Sequence, residues 1–97
     1  MDADSVNLTF DTTVTASDKD RFCIKVFTDI PAAGLTLPVN VTVNGALVPL
    51  LNKYGNPVLG ADLSRCRVYK GYYGATTPHV ILQNNPAHYY CNCANIA

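Results

Sequence analysis

Apolar and polar residues alternate most regularly over residues 39–50, on both sides of an Asn44-Gly45 pair. This pair between two apolar runs is the strongest local hairpin signal, because a type I′ turn needs positive φ at both central residues. With these two residues at the turn, one face of the hairpin is wholly apolar. Its members are Val39, Val41, Val43, Ala46, Val48 and Leu50. We predict that this face is buried against a second layer.

Pro49 falls in the second strand of this hairpin, opposite Asn40, at a position that does not hydrogen bond to the first strand. The side of Pro49 that lacks an N–H therefore faces away from the hairpin, where it prevents regular pairing with a further strand. We interpret residues 46–51 as an edge strand or a bulged strand.

Shorter runs of alternating residues predict further strands at 6–14, 22–28, 66–72 and 78–83. Residues 30–38 contain two prolines and a glycine, which indicates a crossing loop rather than a tight turn. Residues 60–64 allow one helical turn. Gly71 and Gly74 suggest a bulge or a bend between them.

Six or seven short strands with turn residues between them predict an all-β chain. We expect a small antiparallel β-sandwich, Ig-like or jelly-roll-like, with little or no helix. The composition agrees, since the chain has no Glu and one Met but many Val, Thr, Asn and Tyr residues. We predict one domain over residues 1–97, with a short polar N-terminal arm (1–5) and a Cys- and Tyr-rich C-terminal tail (86–97).

The formal charge is zero, with seven cations and seven acids, so there is no general attraction to nucleic acid or anionic membrane. The distribution is uneven, because residues 1–32 hold six acids and three cations while residues 33–97 hold one acid and four cations. The simpler interpretation, which we favour, is that the two halves mix on folding. The alternative is electrostatic complementarity between neighbouring copies in an assembly.

The first ten residues lack the basic and apolar regions of a secretory signal. No run approaches the roughly 18 apolar residues of a membrane span. We therefore expect no signal peptide, no membrane partner, and a location in a virion or the cytoplasm.

The four cysteines raise the question of a metal site. His88, Cys91 and Cys93 lie within six residues, and Cys66 or Cys23 would complete a tetrahedral zinc shell. However, a Cys-x-Cys pair is a looser signal than paired Cys-x-x-Cys knuckles, and a free Cys in a strand behaves as a small apolar residue. We expect reduced thiols and no cofactor. The alternatives are structural zinc and a disulfide formed after release into an oxidising medium.

The chain offers little that resembles catalytic machinery. Cys66 and His79 are a conceivable nucleophile pair, but neither has a glycine-rich elbow or a partner acid near it in the sequence. Seven scattered Asp residues and no Glu give no acid–base pair placed by spacing, and there is no glycine-rich phosphate loop. We predict that the protein is not an enzyme.

Residues 65–73 interleave basic and aromatic side chains. Arg65, Arg67 and Tyr69 share a predicted strand face, as a platform for single-stranded nucleic acid would require. The zero net charge nevertheless makes nucleic acid an unexpected partner. Six of the nine aromatic residues are tyrosines, a residue type enriched at protein interfaces. Tyr72 and Tyr73 complete this set of candidate binding residues, although the tyrosines would also suit the ends of a sandwich.

Three stretches within residues 39–83 carry a resemblance to known proteins: VTVNGALVPL, NKYGNPV and CRVYKGYYGATTPHV. In these stretches the chain resembles small all-β accessory proteins encoded with phage and prophage structural genes, some of which decorate capsids. The resemblance transfers no functional residue, and it implies a virion or assembly component. We therefore predict an oligomeric, non-enzymatic structural subunit that binds copies of itself or a larger shell. The alternatives are a carbohydrate- or protein-binding module with a Tyr-rich rim, and a zinc-stabilised module.

Overall fold

The regular secondary structure of the described residues consists of strands and two short 3-10 turns. The computed structural model describes residues 4–83 and 92–96, without the side chains of Phe22 and Asn92. The strands are β1 (Val6–Phe10), β2 (Arg21–Val26), β3 (Val39–Val43), β4 (Ala46–Leu51), β5 (Val68–Gly74), β6 (His79–Leu82) and β7 (Asn92–Ile96). Two single 3-10 turns cover Ala32–Gly34 and Gly60–Asp62. The all-β prediction is confirmed.

The seven strands close into one barrel in the order β1-β3-β4-β6-β5-β2-β7. The β1–β3, β4–β6 and β2–β7 pairs are parallel, and the other four neighbouring pairs are antiparallel. The predicted antiparallel sandwich is therefore corrected to a mixed barrel. Both architectures bury one face of each strand, so the alternating sequence pattern suits either of them.

The central hairpin has the predicted register. Four predicted cross-strand pairs are present, from the turn outward to Asn40 and Pro49. Asn44 and Gly45 have φ values of 55° and 76°, as a type I′ turn requires. Five of the six residues predicted to face the core are buried. The exception is Ala46, which is exposed because it follows the turn at the rim of the barrel.

The barrel interior is filled by apolar side chains from all seven strands. They include Val6, Leu8, Ile24, Val26, Val39, Val41, Val43, Val48, Leu50, Tyr73, Val80 and Ala94. Full burial of one Val or Leu side chain contributes about 1.5–3 kcal/mol, so this interior is the main source of stability. The many β-branched residues also fit a pleated, half-buried surface, which explains why the sequence forms strands here.

Strand β4 is not the edge strand that the sequence predicts. It pairs in parallel with β6 through Leu50–Val80 and Leu51–Ile81. This pairing starts immediately after Pro49, where the backbone again has an N–H to donate. Pro49 therefore sets where the ladder with β6 begins, and it does not terminate the sheet.

Several element boundaries differ from the sequence-based expectation. Strand β1 ends at Phe10, so the predicted strand 6–14 is too long. Strand β5 begins at Val68, because Cys66 lies in a turn with a positive φ of 66°. Residues 92–96 belong to the predicted tail, yet they form β7 between β1 and β2. The crossing loop is confirmed, since residues 30–38 join strands that are not neighbours in the barrel.

Asn44 hydrogen bonds to the long connection between β1 and β2. The end of the barrel at which the Asn44-Gly45 turn lies is termed the hairpin end. The Asn44 backbone N–H donates to the Val14 carbonyl at 2.9 Å. Its side chain both accepts from the Ala16 N–H and donates to the Ala16 carbonyl, at 2.9 and 3.0 Å. One turn residue thereby defines the hairpin and also orders a loop distant in sequence.

Gly71 lies on β5 with the backbone of β6 close to its Cα atom. A Cβ atom at this position would collide with the carbonyl oxygen of Ile81 and would lie 2.7 Å from its carbonyl carbon. Strand β5 runs unbroken through Gly74, so the glycine pair does not mark the predicted bulge. Close backbone packing is the physical reason for glycine at position 71.

We predict that Gly71→Ala lowers the free energy of unfolding by about 2–4 kcal/mol, because the β6 backbone must move to accept the methyl group. Urea denaturation measures the effect. Gly55→Ala is the matched control: Gly55 has a φ of 82° but no atom within 4 Å of the added Cβ. The control should lose only about 1–2 kcal/mol from left-handed backbone strain. Equal losses in both variants would contradict the close-approach explanation.

Candidate functional site

The outer face of β2 and β5 carries three cations, and neither strand contains an acid. The two strands are antiparallel neighbours, with Arg21 opposite Tyr72 and Lys25 opposite Val68. Lys70 lies between these two pairs on β5, and side chains two residues apart share one face of a strand. The surface formed by Arg21, Lys25, Val68, Lys70 and Tyr72 is termed the basic wall.

The basic wall combines charge with apolar area and is partly accessible, since Cys23, which lies opposite Lys70 at its centre, is fully buried. Arg21 is exposed, whereas Lys25 and Lys70 are half-buried. Val68 is 43% exposed, and the neighbouring Phe27 is 40% exposed. The Lys25 ammonium lies 5.1 Å from the centroid of the Phe27 ring, a cation–π geometry. Aromatic residues and Arg are enriched at protein interfaces, whereas Lys is depleted there.

The three wall cations lack acidic partners in the described part of the chain. The ion pair found there joins Arg65 and Asp29, which are outside the wall. Lys70 faces Cys23 and is diagonal to Arg21 and Lys25 across the strand pair, a spacing at which long side chains can still interact. A negatively charged partner would pair with these cations.

The structure separates the tyrosines that the sequence grouped as binding residues. Tyr73 is 5% exposed, and its hydroxyl accepts a hydrogen bond from the Asn44 side chain at 3.3 Å. Tyr69 is half-buried against the core, and its hydroxyl accepts from the Ser64 N–H at 2.7 Å. Among Tyr69, Tyr72 and Tyr73, only Tyr72 lies on the outer face of the barrel, where it is part of the basic wall.

Arg65 and Arg67 are exposed in the turn that precedes β5. The Arg65 guanidinium is 3.9 Å from the Asp29 carboxylate, and the two side chains are 59% and 82% exposed. Such an exposed pair contributes at most about 1 kcal/mol. The prediction that Arg65, Arg67 and Tyr69 share one strand face is wrong, because the strand starts at Val68 and Tyr69 points inward.

Cys23 is disulfide-bonded and fully buried. The expectation of reduced thiols is therefore wrong for this residue. Cys23 is an exception to the alternation of burial along β2. Residues at odd positions of this strand face outward, and Lys25 is half-buried there, whereas Cys23 is fully buried. The cysteines described as free are Cys66, which is exposed, and Cys93, which is half-buried. Disulfides generally form and persist in oxidising environments.

The predicted zinc ligands are only partly within the described residues. Cys66 lies in the turn before β5, and Cys93 lies on β7 opposite Lys25. His88 and Cys91 fall outside the described residues. Within residues 4–83 and 92–96, no three His, Cys, Asp or Glu side chains converge as metal ligands would. The zinc hypothesis stays a prediction.

The conceivable nucleophile pair is not assembled. Cys66 precedes the first residue of β5, whereas His79 pairs with Gly74 at the other end of that strand. A seven-residue strand separates them by roughly 20 Å, since each residue advances about 3.3 Å.

A cleft of about 320 Å³ lies at the hairpin end of the barrel, next to the end of β1. Four threonines line it together with Phe10 and Asp11: Thr9, Thr12, Thr13 and Thr42. The Asp11 carboxylate accepts a hydrogen bond from the Asn95 side chain at 2.9 Å. Hydroxyl groups and one carboxylate suit a small polar ligand.

The functional argument rests on this geometry, because the comparisons with known proteins identify no relative. No protein-family model, curated protein or solved structure matches the chain. In the ranges that the structure describes, no helix is long and apolar enough to cross a membrane. The fold and site thus define a small mixed β-barrel with a basic wall and a buried disulfide cysteine.

We predict that Cys23 resists alkylation by iodoacetamide in denaturant until a reductant is added, because its sulfur is already bonded. Protein expressed in an oxidising compartment is denatured, alkylated with and without dithiothreitol, and analysed by peptide mass spectrometry. Cys66 is the internal control, since a free thiol is modified under both conditions. Modification of Cys23 in the absence of reductant would show that the disulfide is not present.

Proposed function

We propose that this protein is a non-enzymatic structural subunit that joins a phage virion, as a capsid-decoration type component, through protein–protein contacts. The observation that carries the proposal is the basic wall, on which cations without an acidic partner among the described residues lie beside the exposed Val68 and the half-exposed Tyr72. A partner protein would bury the apolar area and pair the charges at the same time.

Barrel closure supports a contact made by side chains. Each of the seven described strands has a neighbour on both sides, so a partner cannot add a strand to a free sheet edge. A closed barrel also holds its outer side chains on a rigid frame. Such a frame lets many copies present the same surface, which repeated assembly requires.

The disulfide of Cys23 supports the virion over the cytoplasm as the place of action. Disulfides persist at virion surfaces and in other oxidising settings, whereas cytosolic reductants keep thiols reduced. A subunit released by lysis of its host would enter such a medium.

A carbohydrate-binding module is the second candidate, supported by the threonine-lined cleft rather than by the predicted tyrosine rim. That rim has less support, because the hydroxyls of Tyr69 and Tyr73 already hydrogen bond within the barrel. The zinc-stabilised module has no further support from the described residues.

We predict that the chain copurifies with particles from a producing culture through a density gradient, in a constant copy number measured by quantitative mass spectrometry. Val68→Asp should lower the particle-bound fraction about tenfold, because it places a buried charge at the contact. Leu47→Asp is the matched control, since Leu47 is 53% exposed on the outer face of β4, away from the basic wall. A chain that stays in the soluble fraction, or two variants that bind equally, would contradict the proposal.

A further inference from the structure

We propose that the basic wall binds an acidic surface on a second copy of this chain. The inference rests on the proposed function and names the partner of the same site. The acidic surface is the connection between β1 and β2, which carries Asp11, Asp18 and Asp20 with one cation, Lys19. All four residues are exposed at the hairpin end of the barrel. This surface is termed the acidic cap.

The carboxylates of the acidic cap are held in position. Asp18 accepts a hydrogen bond from the Ala75 N–H at 2.9 Å, and Asp20 accepts from the Ser17 N–H at 2.7 Å. Asp11 is held by the side chain of Asn95 on β7 at 2.9 Å. Side chains fixed before binding lose less conformational entropy when a partner arrives, so the cap is preorganised for a contact.

The remaining described charges balance one another. Three cations and three acids lie in the connections at the opposite end of the barrel: Lys53, Arg65, Arg67, Asp4, Asp29 and Asp62. The wall has three cations and no acid, and the cap has three acids and one cation. Among the described residues, the two unbalanced surfaces are therefore opposite in sign, which is the complementarity that two copies need.

The wall and the cap adjoin where Asp20 is followed by Arg21, but Lys70 and Lys25 extend the wall along the side of the barrel, away from the cap. The contact between two copies that uses this part of the wall is head-to-side. Within one described chain, no cap carboxylate is within 4 Å of a wall cation. A heterologous contact of this kind leaves a free wall on one copy and a free cap on the other. It therefore repeats, and it produces rings or extended arrays rather than closed two-fold dimers. A shell component is expected to pack in this way.

The neutral net charge favours a second copy over nucleic acid as the partner. A polyanion would be attracted to the wall but repelled by the cap, and the molecule as a whole gives no net attraction. A second copy uses both surfaces at once. Single-stranded nucleic acid is therefore the competing outcome that the experiment must separate.

Sedimentation velocity at low salt tests the contact with two pairs of matched variants. Lys70→Glu removes a wall cation, and Lys53→Glu makes the same change at the opposite end. Asp18→Asn removes a cap charge but keeps an acceptor oxygen, and Asp62→Asn does so in the Gly60–Asp62 turn. We expect Lys70→Glu and Asp18→Asn each to weaken self-association about tenfold, and the two controls to match the wild type.

Mixing the two weakened variants gives the decisive measurement. Lys70→Glu keeps an intact cap and Asp18→Asn keeps an intact wall, so the mixture should form one-to-one dimers with the wild-type association constant. These dimers should not grow further, because the only surfaces left free are the altered ones. Raising the salt concentration to about 0.5 M should dissociate them, since screening then acts over a few ångströms. Thermal unfolding of each variant confirms that the barrel is retained.

Three results would overturn the inference. Self-association that responds equally to all four variants would place the contact elsewhere and leave the proposed structural role intact. A wild-type chain that stays monomeric at low salt and high concentration would exclude contact between copies, while particle copurification would still decide the structural role. A monomer whose binding to a labelled single-stranded oligonucleotide is lost in Lys70→Glu would assign the wall to nucleic acid.

Discussion

Strand β7 holds this molecule together, because it hydrogen bonds to β1 on one side and to β2 on the other. Without it, the other six strands would form an open sheet with β1 and β2 as free edges. The backbone contacts are specific: the Phe27 N–H donates to the Ala94 carbonyl at 3.0 Å, and the Asp11 N–H donates to the Cys93 carbonyl at 3.1 Å. Both the wall strand β2 and the loop of the acidic cap therefore depend on β7 for their position.

Closure also explains how charge can be separated on so small a protein. A single shared interior removes every strand's apolar face from water, and the outer faces are left to carry the polar residues. Because β2 and β5 are neighbours, their three cations come together on one side of the barrel. The acids lie in connections, where turn geometry favours Asp. The two surfaces do not follow the two sequence halves, because Arg21 and Lys25 of the wall come from residues 1–32, the half that also supplies the acids of the cap.

Local features of the fold were predictable from the sequence, and long-range pairings were not. The hairpin register follows from Asn44-Gly45 alone, since the paired residues are close in the chain. The parallel pairs join Val6 with Val39 and Ile24 with Asn92. Residues this far apart in the chain are not connected by a turn, so no local sequence signal identifies them as partners. Alternating apolar residues predict a buried face but do not distinguish a sandwich from a barrel. Residues 92–96 were predicted as part of a tail rather than a strand, because their partners in β1 and β2 are distant in the chain.

The candidate site shows the same limit. The sequence drew attention to residues 65–73 but missed Arg21 and Lys25, which become neighbours of Lys70 only when β2 pairs with β5. The alternation along β2 was the available signal, since it places both cations on its outer face. The sequence left a disulfide as one alternative, but four cysteines permit several pairings, so it did not indicate that Cys23 would be bonded.

Hydrogen exchange measured by NMR tests barrel closure most directly, because exchange reports which backbone amides are hydrogen-bonded in the native state. The Phe27 and Asp11 amides, which donate to β7, should be protected to within about tenfold of the amides that join β3 to β4. Exchange of both amides at the rate of unprotected loops, with β3 and β4 still protected, would show an open sheet and would contradict this account.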